Sequence, residues 1–421
     1  MRYAIITVGS ELTLGLSVNT NAPSIARHLG REGFYCVDQI SVPDDIAQIT
    51  HTISDSLSRF DGIIVTGGLG PTLDDITREA ICEALDLRLE YQAEIAELIK
   101  ERFSAKYIPL PDMIFRQAYL PTGATPILPR LGSAPGIMLN FEGRFLVAMP
   151  GVPREMQDML VNDVTPWLKT SFKSQEFYKL RVIKTSVRTE SALQESIDDI
   201  INNFSDITVG IIASPGEIQL QLLARAESEQ AASASVNNAE RLLRERLGNK
   251  IFGTDEQLLE EIVGDLLSKH GLTLSFAESC TGGLASKLIT DIPGSSKYFS
   301  GGVIAYSNEV KHSVLGISNR ILEEYGAVSE PTARAMAFGV REKLNADIGV
   351  GITGIAGPDG GSAEKPVGLV YVGLSNGSSS LCCRYVFYGS REIVRKKSAY
   401  AALDMVRRFL LDNCAITEEN K

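Results

Sequence analysis

Leu272-Thr273-Leu274-Ser275-Phe276-Ala277-Glu278-Ser279-Cys280-Thr281-Gly282-Gly283 decides how the later part of this chain folds. The apolar run Leu272–Phe276 reads as a buried strand, and Leu284–Thr290 reads as the helix that follows it. The turn between them is a strand-to-helix junction, the repeating unit of an α/β fold. Such a junction exposes side chains at the carboxyl end of the strand. It also aims free backbone N–H groups at a bound anion or a developing oxyanion. Here it carries a hydroxyl, a thiol and a flexible glycine pair.

Working outward, a helix is expected over Gln257–Ser268, with strands at Gly302–Tyr306, Ile348–Gly351, Gly368–Leu374 and Leu381–Tyr388. A long helix, Arg391–Leu411, closes the segment. The first third of the chain repeats the rhythm. Strands are expected at Tyr3–Val8, Tyr35–Val42, Gly62–Thr66 and Arg144–Ala148, and helices at Asn21–Arg31, Ile46–Ser58 and Asp75–Leu85. From about Phe177 the pattern changes to strand, helix, two strands and helix, a split order that points to a ferredoxin-like module. This module has no clustered reactive residues and reads as a spacer or dimerisation element. The fold class is therefore α/β. Two α/β domains, residues 1–170 and 257–414, are joined by a small α+β connector, residues 177–253. Pro109-Leu110-Pro111 and the turn-rich segment Pro121 to Gly136 interrupt the first domain and read as site-lining loops.

A chain of 421 residues exceeds one ordinary core, which agrees with that division. Apolar content of 44% and charged content of 22% are those of a soluble globular protein. The net charge of −11 argues against general nucleic-acid binding, since a phosphate polymer would be repelled. Six scattered Cys without a C-x-x-C pair, and only four His, argue against structural zinc and against a disulfide framework. No apolar run approaches membrane-spanning length, and Tyr3–Val8 follows the first residues without a charged leader. A cytoplasmic protein without a membrane partner is expected. A homodimer is the expected assembly, from the prevalence of twofold oligomers.

A serine nucleophile at Ser279 needs a base, and no His lies in a suitable motif. Lys311 serves if burial lowers its pKa, so that its neutral amine accepts the serine proton. Each residue also has a plainer reading. Lys311 fits a solvated helix lysine, and Ser279 fits a helix N-cap. Cys280 fits a small buried side chain, or, as a thiolate at a helix N-terminus, a rival nucleophile. The loop Thr353-Gly354-Ile355-Ala356-Gly357-Pro358-Asp359-Gly360-Gly361 is either a turn or a phosphate-binding backbone.

The first domain has its own set: Gly9-Ser10-Glu11-Leu12, Pro43-Asp44-Asp45, Thr66-Gly67-Gly68-Leu69-Gly70-Pro71-Thr72-Leu73-Asp74-Asp75 and Met149-Pro150-Gly151-Val152-Pro153. Thr66 to Gly70 lies between a strand and a helix, where glycines let the backbone approach an anion. Asp44, Asp74 and Asp75 suit a hard divalent cation, and Asp44 and Asp74 equally suit helix capping.

Ala277 to Gly283, Tyr306-Ser307-Asn308 to Lys311, Gly326-Ala327-Val328-Ser329-Glu330, Thr353 to Gly361 and Glu364-Lys365-Pro366-Val367-Gly368 together resemble the CinA C-terminal domain, over about residues 257–412. That resemblance implies hydrolysis of nicotinamide mononucleotide (NMN) to nicotinic acid mononucleotide and ammonia, in pyridine nucleotide salvage, with no cofactor. It assigns Ser279 as nucleophile, Lys311 as base and Tyr306 as an orienting or proton-relaying neighbour. Thr281, Gly282 and Gly283 are expected at the oxyanion, and Ser295, Ser296, Gly357, Gly360 and Arg391 at the substrate phosphate. The family's Gly-Asp-Arg is Gly389-Ser390-Arg391 here, which removes a role for an acid at the middle position. Residues 1–170 resemble the molybdopterin-binding fold in its CinA form. This implies a metal-dependent ADP-ribose pyrophosphatase, with Gly67, Gly68 and Gly70 as diphosphate cradle and Asp44 and Asp75 as ligands of a divalent cation. One basic residue, Arg116, stands before Gln117-Ala118 where the family often has two. The alternative expectation is a non-catalytic, competence- or damage-associated protein that binds nucleotide or molybdopterin.

Overall fold

The computed structural model describes residues 1–104, 111–172, 176–187 and 189–412. Pro109, Leu110 and Cys414 lie outside them. The chain forms two compact units, Met1–Leu180 with Leu223–Asn237, and Arg181–Leu222 with Asn238–Lys421.

The first unit holds a six-stranded sheet. Its strands are β1 (Arg2–Val8), β2 (Tyr35–Val42), β3 (Gly62–Thr66), β4 (Thr125–Ile127), β5 (Gly136–Phe141) and β6 (Arg144–Met149), in the order β2-β1-β3-β6-β5-β4. The four strands β2, β1, β3 and β6 run parallel, β5 pairs antiparallel with β6, and β4 pairs antiparallel with β5. Parallel strands are buried on both faces, and β1 shows why its run is apolar throughout. Tyr3 and Ile5 pack with Ala22, Ile25 and Leu29 of helix α1 (Asn21–Arg31). Ala4 and Ile6 pack on the other face with Ile49, Ile53 and Leu57 of α2 (Ile46–Arg59). The next helix, α3, spans Thr77–Leu85, so Asp75 belongs to the loop before it rather than to its first turn. The segment Pro121 to Gly136 is not wholly irregular. Thr125–Ile127 is the edge strand, and the edge position is what tolerates Pro126.

Residues 177–254 follow the order β7 (Phe177–Thr185), α4 (Glu190–Ile201), β8 (Ile207–Ser214), β9 (Glu217–Ala226), α5 (Glu229–Leu247) and β10 (Ile251–Thr254). The strand order β8-β9-β7-β10 is ferredoxin-like. The sequence reading stopped at the second helix, because four-residue β10 has too short an apolar run to stand out.

In the second unit, α6 (Leu259–His270) precedes β11 (Leu274–Glu278), α7 (Leu284–Thr290), β12 (Phe299–Ile304) and α8 (Asn308–Ser313). Then come α9 (Glu330–Leu344), β13 (Ile348–Gly354), β14 (Leu369–Ser375), β15 (Ser380–Val386) and α10 (Arg391–Leu411). The sheet order is β12-β11-β13-β14-β15. Strands β12, β11 and β13 are parallel, β14 pairs antiparallel with β13, and β15 pairs antiparallel with β14. Phe276, Val350 and Val372 of the sheet pack with Val394, Ala402 and Val406 of α10 in one core. Among the described residues, no helix is long and apolar enough to cross a membrane.

Candidate active site

Strand order reverses at β11, with β12 on one side and β13 on the other. In open α/β sheets, the crevice at the carboxyl ends of such strands receives the ligand. Ser279 stands there, with its N–H donating to Ile352 O of β13 (2.9 Å). It is not the N-cap of α7. That position is Gly283, in the left-handed conformation with no side-chain cap. The helix end is closed instead by Glu278, which is buried. Glu278 Oε2 accepts from the N–H groups of Gly283 (3.0 Å) and Ala285 (3.1 Å), and Oε1 accepts from Ser286 N (2.9 Å) and Ser286 Oγ (2.7 Å). Four donors around one carboxylate compensate its burial.

Lys311 is 1% exposed, so the reading of a solvated helix lysine does not hold. Ser307 caps α8 by accepting from Val310 N, and this short helix directs Lys311 inward. Lys311 Nζ lies 3.0 Å from Ser279 Oγ, and it donates to Ala305 O (2.8 Å) and Tyr306 O (3.1 Å). A neutral amine has two protons and one lone pair. With both protons on the carbonyls, the lone pair faces the serine hydroxyl. Burial lowers the Lys311 pKa, and among the described residues no carboxylate forms an ion pair with it. Cys280 is the opposite case. Burial pushes its thiol up to about 12, which removes it as a thiolate near neutrality.

The expected oxyanion donors need correction. Gly283 N is bonded to Glu278, and Gly282 N donates to Ser279 O (3.2 Å). Among the described residues, the Cys280 and Thr281 amides have no acceptor, so these two remain for an oxyanion. Thr281 Oγ1 is also buried without a partner. The loop is clamped from α10, where Arg395 donates to Thr281 O (2.7 Å). The sequence reading missed both Glu278 and Arg395. The spacing of Glu278 from the helix start and the four-residue step from Arg391 to Arg395 were the available signals.

Arg391 donates to Gly357 O (2.7 Å) and to the Tyr306 hydroxyl (3.1 Å). Tyr306 therefore touches the base through its carbonyl, while its phenol is engaged with Arg391. Gly357 (φ +81°) needs its glycine, since a Cβ would lie 2.6 Å from Val367 Cγ1. Gly360 is also left-handed (φ +88°), in the same loop. Ser295 and Ser296 are not with these residues. They form a turn before β12, at the amino end of the sheet, where Leu274 N donates to Tyr298 O (2.7 Å). The length of β12, at about 3.3 Å per residue, separates them from Ser279 by about 17 Å.

The first unit has the same switch topology, with β2 and β3 on either side of β1. Gly67 is packed, not cradling. Its N–H donates to Met149 O (3.1 Å), and a Cβ there would lie 2.2 Å from Val8 O. At Gly68 a Cβ would lie 2.2 Å from Thr77 Oγ1, and at Gly70 it would lie 2.3 Å from Asp75 Oδ2. The Gly68 and Gly70 amides have no acceptor among the described residues and stay available to an anion. Buried Arg78 holds this loop by donating to Leu69 O (2.7 Å) and Gly70 O (2.8 Å). Asn21 donates to Thr66 Oγ1 (3.0 Å) and Gly151 O (2.8 Å), leaving its buried Oδ1 without a partner.

Asp44 and Asp75 do not make a preformed metal centre. Asp44 Oδ2 accepts from Ser10 N (2.8 Å), and Asp75 Oδ2 accepts from Thr72 N (2.9 Å) and Thr72 Oγ1 (2.5 Å). They follow β2 and β3, with β1 between them, and no group of three His, Cys, Asp or Glu converges among the described residues. Each offers one oxygen, which fits a hard cation only if substrate oxygens and water complete the shell. The cap of α2 is Asp45, accepting from Gln48 N (2.9 Å), rather than Asp44.

Two α/β units, each with a loop site at its strand reversal, define the architecture. The probable molybdopterin binding domain matches residues 4–170, the damage-inducible protein CinA KH domain matches 180–253, and the CinA C-terminal domain matches 256–410. A putative competence-damage inducible protein of Moorella thermoacetica is 42% identical, over 98% of this chain and 100% of its own. A CinA-like protein of Kosmotoga olearia is 40% identical over 98% and 99%. A solved structure of the protein CinA from Thermoplasma acidophilum, described as of unknown function, is 29% identical, with a TM-score of 0.37, covering 41% of this chain and 100% of that one. The chain belongs to the CinA family.

Proposed function

We propose that the second unit hydrolyses the carboxamide of NMN, with Ser279 as nucleophile and Lys311 as base. The single observation that carries this reading is the buried Lys311 amine, 3.0 Å from Ser279 Oγ, with its other donors placed on two carbonyls. Ser279 Oγ bonds to the amide carbon as its proton passes to Lys311 Nζ, and the carbonyl electrons move onto oxygen beside the Cys280 and Thr281 amides. The protonated lysine then gives that proton to the leaving nitrogen. The C–N bond breaks, ammonia departs, and an acyl ester remains on Ser279. Water, deprotonated by Lys311, cleaves the ester to give nicotinic acid mononucleotide and free serine. No metal is required by these steps. The choice of NMN rests on the family resemblance; the dyad itself supports amide or ester hydrolysis. The test is ammonia release from NMN by the full chain, compared with Ser279→Ala. Binding without turnover would instead support a non-catalytic nucleotide-binding protein.

A second reading concerns the first unit. The free Gly68 and Gly70 amides support binding of a diphosphate, and the unpartnered Asn21 Oδ1, an acceptor, suits a donor such as a ribose hydroxyl of ADP-ribose. When bound, a divalent cation would neutralise diphosphate charge, with Asp44 and Asp75 each lending one oxygen. ADP-ribose cleavage with and without magnesium tests this reading, and tight molybdopterin binding without cleavage would replace it.

A further inference from the structure

We propose that the ring of Tyr306 is a stacking platform for the substrate's pyridinium ring, so that the Ser279 site selects a flat, cationic ring bearing the carboxamide. The inference rests on the deamidase reading for its substrate class, and it gives Tyr306 a specificity-determining role.

Tyr306 is held at both ends beside the nucleophile. At one end its carbonyl accepts from Lys311 Nζ (3.1 Å), the same amine that lies 3.0 Å from Ser279 Oγ. At the other end its hydroxyl accepts from Arg391 (3.1 Å), which also donates to Gly357 O (2.7 Å), just past the end of β13. Strands β12 and β13 flank β11. Tyr306, Arg391 and Gly357 therefore link the end of one flanking strand to the end of the other, across the carboxyl end of β11 where Ser279 stands. Ile304, two residues earlier, touches the same loop, since a Cβ on Gly283 would lie 3.2 Å from Ile304 Cδ1. Both side chains thus reach toward the helices that bound the crevice, Ile304 toward α7 and Tyr306 toward α10.

Despite these attachments the ring is uncovered. Tyr306 is 62% exposed. Among the described residues no ring and no cation lies on its face. Arg391 meets the oxygen at the ring edge and leaves the face open. An aromatic face tethered at its hydroxyl is preorganised, because the tether removes rotamer freedom that a ligand would otherwise have to quench. The ring of NMN is planar and carries a formal positive charge. Such a ring gains from offset stacking and from the negative face of a phenol. An aliphatic amide gains neither.

The test uses the full chain carrying Ser279→Ala, so that ligand binds without turnover, and titration calorimetry. Adding Tyr306→Leu should weaken NMN binding at least about tenfold, as loss of a stacking contact does. Adding Tyr306→Phe keeps the ring and should weaken it less than about threefold. Reduced NMN, whose dihydropyridine ring is uncharged and no longer aromatic, is the second ligand. It should bind more weakly than NMN, and Tyr306→Leu should change its affinity less than about threefold, a selectivity that a merely structural role would not produce. Equal losses for the two ligands overturn the platform. So do equal losses in Tyr306→Phe and Tyr306→Leu, no loss in either, or no NMN binding at all. The deamidase reading fails separately, if the unsubstituted chain binds NMN and releases no ammonia, and the calorimetry then still decides the platform.

Discussion

Glu278 Oε1 accepts two hydrogen bonds from Ser286, one from its amide at 2.9 Å and one from its hydroxyl at 2.7 Å. This pairing anchors the loop that carries Ser279 to the first turn of α7. Glu278→Gln puts an amide NH2 where only acceptors fit, and it should destabilise the second unit by about 1–3 kcal/mol. Ser286→Ala removes one of the donors and should destabilise by about 1 kcal/mol. Denaturant unfolding of the two variants should rank them in that order. The reverse ranking would remove Glu278 as the anchor.

Ser279→Ala should abolish ammonia release from NMN, and Cys280→Ala should retain most of it. Burial that holds the Cys280 thiol near 12 leaves almost no thiolate at neutral pH. An inactive, folded Cys280→Ala variant beside an active Ser279→Ala variant would sink the serine mechanism.

The pH profile should carry the mark of Lys311. Its pKa is lowered by burial, so the neutral amine dominates above a pH lower than the ordinary lysine value of 10.5. The active form is the unprotonated one. Activity should therefore rise with pH through that lowered pKa and fall on the acid side. Lys311→Met should remove this limb together with the activity. An acid limb that survives in any residual Lys311→Met activity would assign it to another group.

Tyr306→Phe separates the two duties of that residue. The variant keeps the carbonyl that orients Lys311 and loses only the hydroxyl that meets Arg391. A change in kcat of less than about tenfold is expected, against the 10²–10⁴-fold loss typical of a general acid or base. Steady-state kinetics on NMN would distinguish them.

Gly67→Ala should unfold the first unit at lower denaturant. The new Cβ would meet Val8 O at 2.2 Å, on a residue with φ +107°. A loss of at least about 1–3 kcal/mol follows from the backbone strain alone. An unchanged unfolding midpoint would contradict the packing at that bend.

The strands and helices are legible where one periodicity governs many residues, as in Asn21–Arg31. Short elements escaped, because Thr125–Ile127 and Ile251–Thr254 acquire their strand character from neighbours rather than from their own pattern. The Ser279–Lys311 pair was readable as a chemical possibility, yet its burial depends on α8 and β12 meeting β11. Ser295 and Ser296, expected at the phosphate from the family resemblance, lie at the other end of the sheet because α7 carries the chain back there. Gly282 and Gly283 look available in the sequence because it shows amides but not their acceptors, which are Ser279 O for Gly282 and Glu278 for Gly283.

Arg395 and Arg391 both stand on α10, eighty or more residues after Lys311, and one holds the Ser279 loop while the other holds Gly357 and Tyr306. The order of synthesis therefore acts as a safety catch. A growing chain that has already made Ser279 and Lys311 still lacks the two clamps until its last helix has docked, so under the proposed reading the crevice is completed last.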